Sequence, residues 1–194
     1  MSGRMSVAQY RATDLSLFAI ILIVFESVVV KAATAWFPKE AWTVSCVAAV
    51  TAIVMARWGP WCGIHAVIGG IVTVLVSRGN VTQFLIYGIG NLAALVVWPL
   101  EKKWGWAKLK ENSLRNFLFS ALVLLAMQTG RMLTALILGT KAEELPLFIT
   151  TDVISYIFTL TIVWIAGRLD GILEDQKHYL RRINDPENGE GGIA

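Results

Sequence analysis

Gln83, Tyr87 and Asn91 recur at four-residue spacing inside an apolar stretch, which puts all three on one face of a helix. Gln128 and Arg131 stand about one turn apart in a second stretch, and Asp152 and Tyr156 fall early in a third. Glu26 and Lys31 lie in a fourth, which ends at Trp36, with Trp42 just beyond. In lipid such groups can do two kinds of chemistry. Amides, phenols and charges bind a polar solute, and carboxylates titrate to couple transport to a proton. A charge at the bilayer centre costs about 2.5–3.5 kcal/mol on insertion scales, so Glu26, Lys31, Arg131 and Asp152 need mutual pairing or a ligand. Purely structural ion pairing is the plain alternative. Glu26 and Lys31 do not meet as helix neighbours, because five residues turn about 140°.

Lipid is itself an inference from composition. The chain is 56% hydrophobic and 16% charged, with mean hydropathy +0.61. Soluble domains run near 45–50% apolar and about 25% charged. Apolar run length predicts an all-α, polytopic membrane protein with six spans, at about 14–36, 42–57, 60–77, 81–99, 114–138 and 147–167. Residues 1–167 form the transmembrane domain. Residues 168–194 form a charged cytosolic tail, helical to about Ile183 and then Gly-rich and disordered. The first run is too long for a signal peptide and is a retained span.

Charge sets the orientation. Arg4, Arg11, Arg57, Lys102, Lys103, Lys108, Lys110, Arg115, Arg168, Lys177, Arg181 and Arg182 fall on the side of the termini, against Lys39, Arg78 and Lys141 opposite. The positive-inside rule therefore makes both termini cytoplasmic. At about 1.5 Å of rise per residue, Gln83, Tyr87, Asn91, Arg131, Asp152, Tyr156 and Lys31 share the outer half of the membrane. Glu26 and Gln128 sit near its middle.

The remaining features have blander readings. Ala48, Ala52 and Ala56 make a small-residue stripe that allows close helix approach, either inside the bundle or against a partner protein. Residues 100–113, rich in Lys and Trp, read as an interfacial segment on the anionic leaflet, not a nucleic-acid site. Cys46 and Cys62 read as small buried residues, and His65 as a packing residue near the cytoplasmic side. No metal-ligand spacing, P-loop or nucleophile elbow is present, so neither an enzyme nor a resident cofactor is expected.

The Trp58-Gly59-Pro60 turn opens a helix carrying Gly63, Gly69 and Gly70. The polar turn Ser77-Arg78-Gly79-Asn80 follows, and Gly88, Gly90 and Asn91 lie beyond it. With six spans and both termini inside, this pattern resembles the substrate-binding S component of energy-coupling factor (ECF) transporters. The resemblance runs from about Thr13 to Gly167. It implies high-affinity binding of a vitamin-like nutrient from outside, at the bacterial cell membrane. Uptake is then ATP-driven, with a separate membrane-embedded coupling subunit and two ATPases as partners. It implies a pocket built from Gln83, Tyr87, Asn91, Gln128, Arg131, Asp152 and Tyr156, lidded by residues 36–42 and by Ser77–Asn80. The family's Ala-x-x-x-Ala docking pair is missing from helix 1, and the Ala48, Ala52 and Ala56 stripe is the candidate substitute. Lys31 and Arg131 suit an anionic group, and Trp36, Trp42 and Tyr87 a planar ring. The competing function is a stand-alone proton- or ion-coupled transporter using Glu26 and Asp152.

Overall fold

Capping chemistry starts the first helix earlier than hydropathy suggests. The Ser6 hydroxyl accepts from the Gln9 N–H (3.2 Å), and the Gln9 side chain accepts from the Ser6 N–H (2.9 Å). This reciprocal cap begins α1 (Val7–Trp36) a full two turns before Asp14. The computed structural model describes residues 6–38 and 42–184, apart from the side chains of Trp106 and of residues 182–184. The start of the chain, Lys39–Ala41 of the expected lid and the Gly-rich tail lie outside the described residues.

After α1 come α2 (Val47–Trp58) and α3 (Cys62–Val76), joined by one 3₁₀ turn, Gly59–Trp61. Then follow α4 (Val81–Gly90), a 3₁₀ stretch over Asn91–Val97, α5 (Trp98–Trp104), α6 (Trp106–Glu111) and α7 (Ser113–Ile137). The chain closes with α8 (Leu147–Thr150), α9 (Val153–Arg168) and α10 (Gln176–Asn184). Secondary structure among the described residues is helical throughout. Among the described residues, five stretches are long and apolar enough to cross a membrane: Val7–Trp36, Val47–Val76, Val81–Trp104, Ser113–Ile137 and Ala142–Arg168. The chain is therefore a multi-pass helical membrane protein.

The second stretch does not run straight. At Gly59 the backbone turns through φ +61°, which favours glycine, and α3 folds back along α2. Val47, at the start of α2, lies against Gly69 of α3, where an added Cβ would sit 2.5 Å from the valine. At 12 and 15 residues the two arms span about 18 and 22 Å, less than the roughly 30 Å apolar core. Residues 42–46, expected to be helical, are non-helical and lead into α2.

All twelve residues of α2 are buried, Ala48, Ala52 and Ala56 among them. Of the two readings of the stripe, as a partner interface or as packing inside the bundle, the structure shows the second: α1, α3, α7 and α9 surround α2. Small side chains let those helices close around it. Pro99 does not end a helix as expected. It sits in the first turn of α5, where its missing N–H costs nothing.

Contacts bring the beginning of α1 and the C-terminal segment to one end of the bundle. Asp14 accepts twice from Arg57 (2.9 and 2.7 Å) and once from the Trp58 indole (2.7 Å). Arg57 also donates to the carbonyls of Gly171 and Ile172, and Tyr10 donates to Gln176 (3.3 Å). The chain after Arg168 therefore folds back onto the bundle before α10, where the sequence suggested a continuous cytosolic helix.

At the opposite end, Asn80 and Gln83 cap α4 reciprocally (2.9 and 3.0 Å). Asn80→Ala should destabilise the protein by about 1 kcal/mol, read as a lower unfolding midpoint in detergent.

Candidate functional site

The polar side chains do converge, and two glycines let them. Gly90 of α4 and Gly130 of α7 bring their backbones into contact: a Cβ on Gly130 would lie 2.1 Å from the Gly90 carbonyl oxygen. The next residue on each helix is Asn91 and Arg131. Arg131 Nε donates to Asn91 Oδ1 (2.7 Å), and Asn91 Nδ2 donates in turn to the Ala66 carbonyl of α3 (3.0 Å). The guanidinium carbon lies 4.6 Å from the Tyr87 ring centroid, a cation–π contact.

Asp152 forms the other half of the cluster, at the junction of α8 and α9. Arg131 Nη1 reaches Asp152 Oδ2 at 3.0 Å, with both side chains almost wholly buried (4% and 3% exposed). Gln128 Nε2 donates to the same oxygen (3.3 Å), while Gln128 Oε1 accepts from the Tyr156 hydroxyl (2.7 Å). Asp152 Oδ1 accepts from the hydroxyls of Thr43 and Ser155. Ser155 in turn accepts from the Ser45 N–H (3.0 Å). One carboxylate thus ties together the segment before α2, α7 and α9.

Glu26 sits one layer further along. It is fully buried, and accepts from the Cys46 N–H (2.8 Å) and the Thr73 hydroxyl (2.7 Å). Neutral donors hold it. Among the described residues it has no cation at salt-bridge distance. The sequence alternative in which Glu26 and Asp152 neutralise Lys31 and Arg131 holds for the second pair alone.

Comparison with family models, curated proteins and solved structures finds no match to this chain. The arrangement of its residues therefore carries the functional reading.

Of the expected pocket residues, Tyr87, Asn91, Gln128, Arg131, Asp152 and Tyr156 form one cluster, and Glu26 of α1 is tied to the segment before α2 beside it. Four others stand apart. Lys31 is exposed, because five residues beyond the inward Glu26 the helix has turned to its outer side. Trp36 is 77% exposed. Trp42 packs with Phe37 (6.3 Å between centroids), although its neighbour Thr43 enters the cluster. Gln83 is exposed and spends its side chain on the α4 cap.

Thr43, Ser45, Thr73 and Ser155 belong to the network and were not singled out by the sequence reading. Only Ser155, three residues after Asp152, carried a local signal. His65 packs as expected: it is buried, with Nε2 2.9 Å from the Leu15 carbonyl. Cys46 and Cys62 are free and buried. No cluster among the described residues has the make-up of a metal site.

Proposed function

We propose that this chain is a six-span, solute-binding subunit of a nutrient uptake system, of the kind the ECF S component exemplifies, and has no catalytic activity of its own. Counting each arm of the folded-back Val47–Val76 stretch as a crossing gives six. The excess of Lys and Arg predicted for the side of the termini supports a cytoplasmic orientation for it. One observation carries the reading: a buried Arg131–Asp152 pair with amide, phenol and hydroxyl partners, drawn from α4, α7, α9 and the segment before α2. The pair supplies an anion-binding and a cation-binding group about 3 Å apart, and Tyr87 and Tyr156 add ring surface. In this reading a polar nutrient enters between the outer loops and exchanges with the pair. The loaded subunit then serves a separate coupling subunit and ATPases.

Native mass spectrometry of the detergent-purified full chain tests this. A co-purifying water-soluble compound of vitamin size is expected, bound about fivefold more weakly by Tyr156→Phe, which removes one neutral hydrogen bond. A ligand-free spectrum with no stabilisation by any of a panel of vitamins would sink the reading.

Glu26 favours a second reading. A buried carboxylate held only by neutral donors is a candidate proton carrier, and Asp152 lies beyond it in the same network. Uptake into liposomes containing this chain alone, driven by a pH gradient and abolished by Glu26→Gln, would establish a stand-alone transporter.

A further inference from the structure

The end of the bundle where Asp14, Arg57 and the segment after Arg168 meet holds a cavity of about 480 Å³, within the range of small-molecule sites. It is remote from Asp152. Its floor is the Gly59 turn, and three indoles, those of Trp58, Trp61 and Trp98, line it. Tryptophans concentrate where membrane meets water, so the cavity opens at headgroup level.

Its charges are sorted. Arg57 lines the cavity but is committed to Asp14 and to two carbonyls. Arg11, Lys102 and Lys177 are the cations left for a ligand. Two of them are held against the lining indoles, Arg11 4.4 Å over the Trp61 ring and Lys102 5.9 Å over Trp98. Two carboxylates, Glu101 and Asp175, line the same cavity, and Glu101 is buried. A simple anion would meet those carboxylates and be repelled. A ligand with a phosphate and a primary ammonium satisfies both sets: Lys and Arg take the phosphate, and the carboxylates accept from the ammonium. Trimethylammonium has no N–H to donate to them.

We infer that this cavity is a binding site for a phosphoethanolamine group, presented either by phosphatidylethanolamine of the facing leaflet or by a soluble phosphoethanolamine. The site is independent of the Arg131–Asp152 cluster.

The test uses the full chain in nanodiscs of equal parts phosphatidylethanolamine, phosphatidylglycerol and phosphatidylcholine, with retained lipid counted by native mass spectrometry. A second arm adds free phosphoethanolamine to lipid-stripped protein. Phosphatidylethanolamine should be retained preferentially, and Lys102→Ala or Lys177→Ala should each lower its retention about fivefold. Both side chains are exposed, so neither change threatens folding. Asp175→Asn should shift preference toward phosphatidylglycerol. Asparagine preserves the role of Asp175 Oδ1 in accepting the Lys177 and His178 N–H groups. Binding of the lipid without binding of the free compound assigns the site to the membrane, and tight binding of the free compound assigns it to a soluble ligand. Equal retention of all three lipids with no binding of phosphoethanolamine overturns the inference. So does a phosphatidylethanolamine preference that both lysine variants leave unchanged.

Discussion

Arg131→Met and Asp152→Ala should each destabilise the protein by about 3–5 kcal/mol, and the double variant should lose far less than the sum. Each single change strands a buried charge: the Asp152 carboxylate in one case, the guanidinium in the other. Removing both strands neither. The two residues are bonded to each other at 3.0 Å inside one buried hydrogen-bonded network, so their effects cannot be independent. Distant sites add to within about 0.5 kcal/mol, so a larger shortfall reports their coupling. Reversible unfolding in detergent gives all four corners of the cycle. Strict additivity would mean that the pair contributes nothing as a unit, and the binding reading would lose its centre.

The same cycle separates a structural pair from a binding one. A ligand that engages Arg131 and Asp152 stabilises the wild type by about 2.7 kcal/mol at a hundredfold excess over its dissociation constant. It should leave the double variant unmoved. A purely structural network would give the coupling energy without that ligand-dependent shift.

Much of the cluster was legible because its signals are local. Tyr87 and Asn91, Gln128 and Arg131, and Asp152 and Tyr156 are each three or four residues apart, and helix geometry alone puts each pair on one face. Depth could be counted along the chain as well. Which way a face points could not. Lys31 and Glu26 share a helix and nearly a depth, yet one is exposed and the other buried. Direction around a helix depends on its neighbours, which run length does not reveal. Thr43 and Ser45 were invisible for a related reason. They lie in a segment read as helix, and they reach Asp152 and Ser155 across about a hundred residues. Asp14 and Arg57, 43 residues apart, were likewise read as a helix start and a loop cation. Ala48, Ala52 and Ala56 were recognised as a packing stripe, but a stripe does not say whose helix it receives.

Gly130→Ala should damage the protein although it alters no polar side chain. Its Cβ would stand 2.1 Å from the Gly90 carbonyl oxygen and 2.5 Å from the Ala93 Cβ. The nearest obstacle is backbone, so no side chain can rotate away, and α4 must move off α7. Overpacking of this kind costs about 1–3 kcal/mol, and the separation also stretches the 2.7 Å bond between Arg131 and Asn91. Gly88→Ala is the control, on α4, the helix that Gly130 meets. A Cβ there meets nothing within 4 Å, so alanine should be neutral or should stabilise by about 0.5–1 kcal/mol through its helix preference. Unfolding midpoints of the two variants, with the affinity for any co-purified ligand, decide the matter. Loss of both stability and affinity in Gly130→Ala alone would tie the site's geometry to this one backbone contact. Equal behaviour of the two variants would mean that the helices are free to separate, and that the polar cluster holds itself together without the glycines.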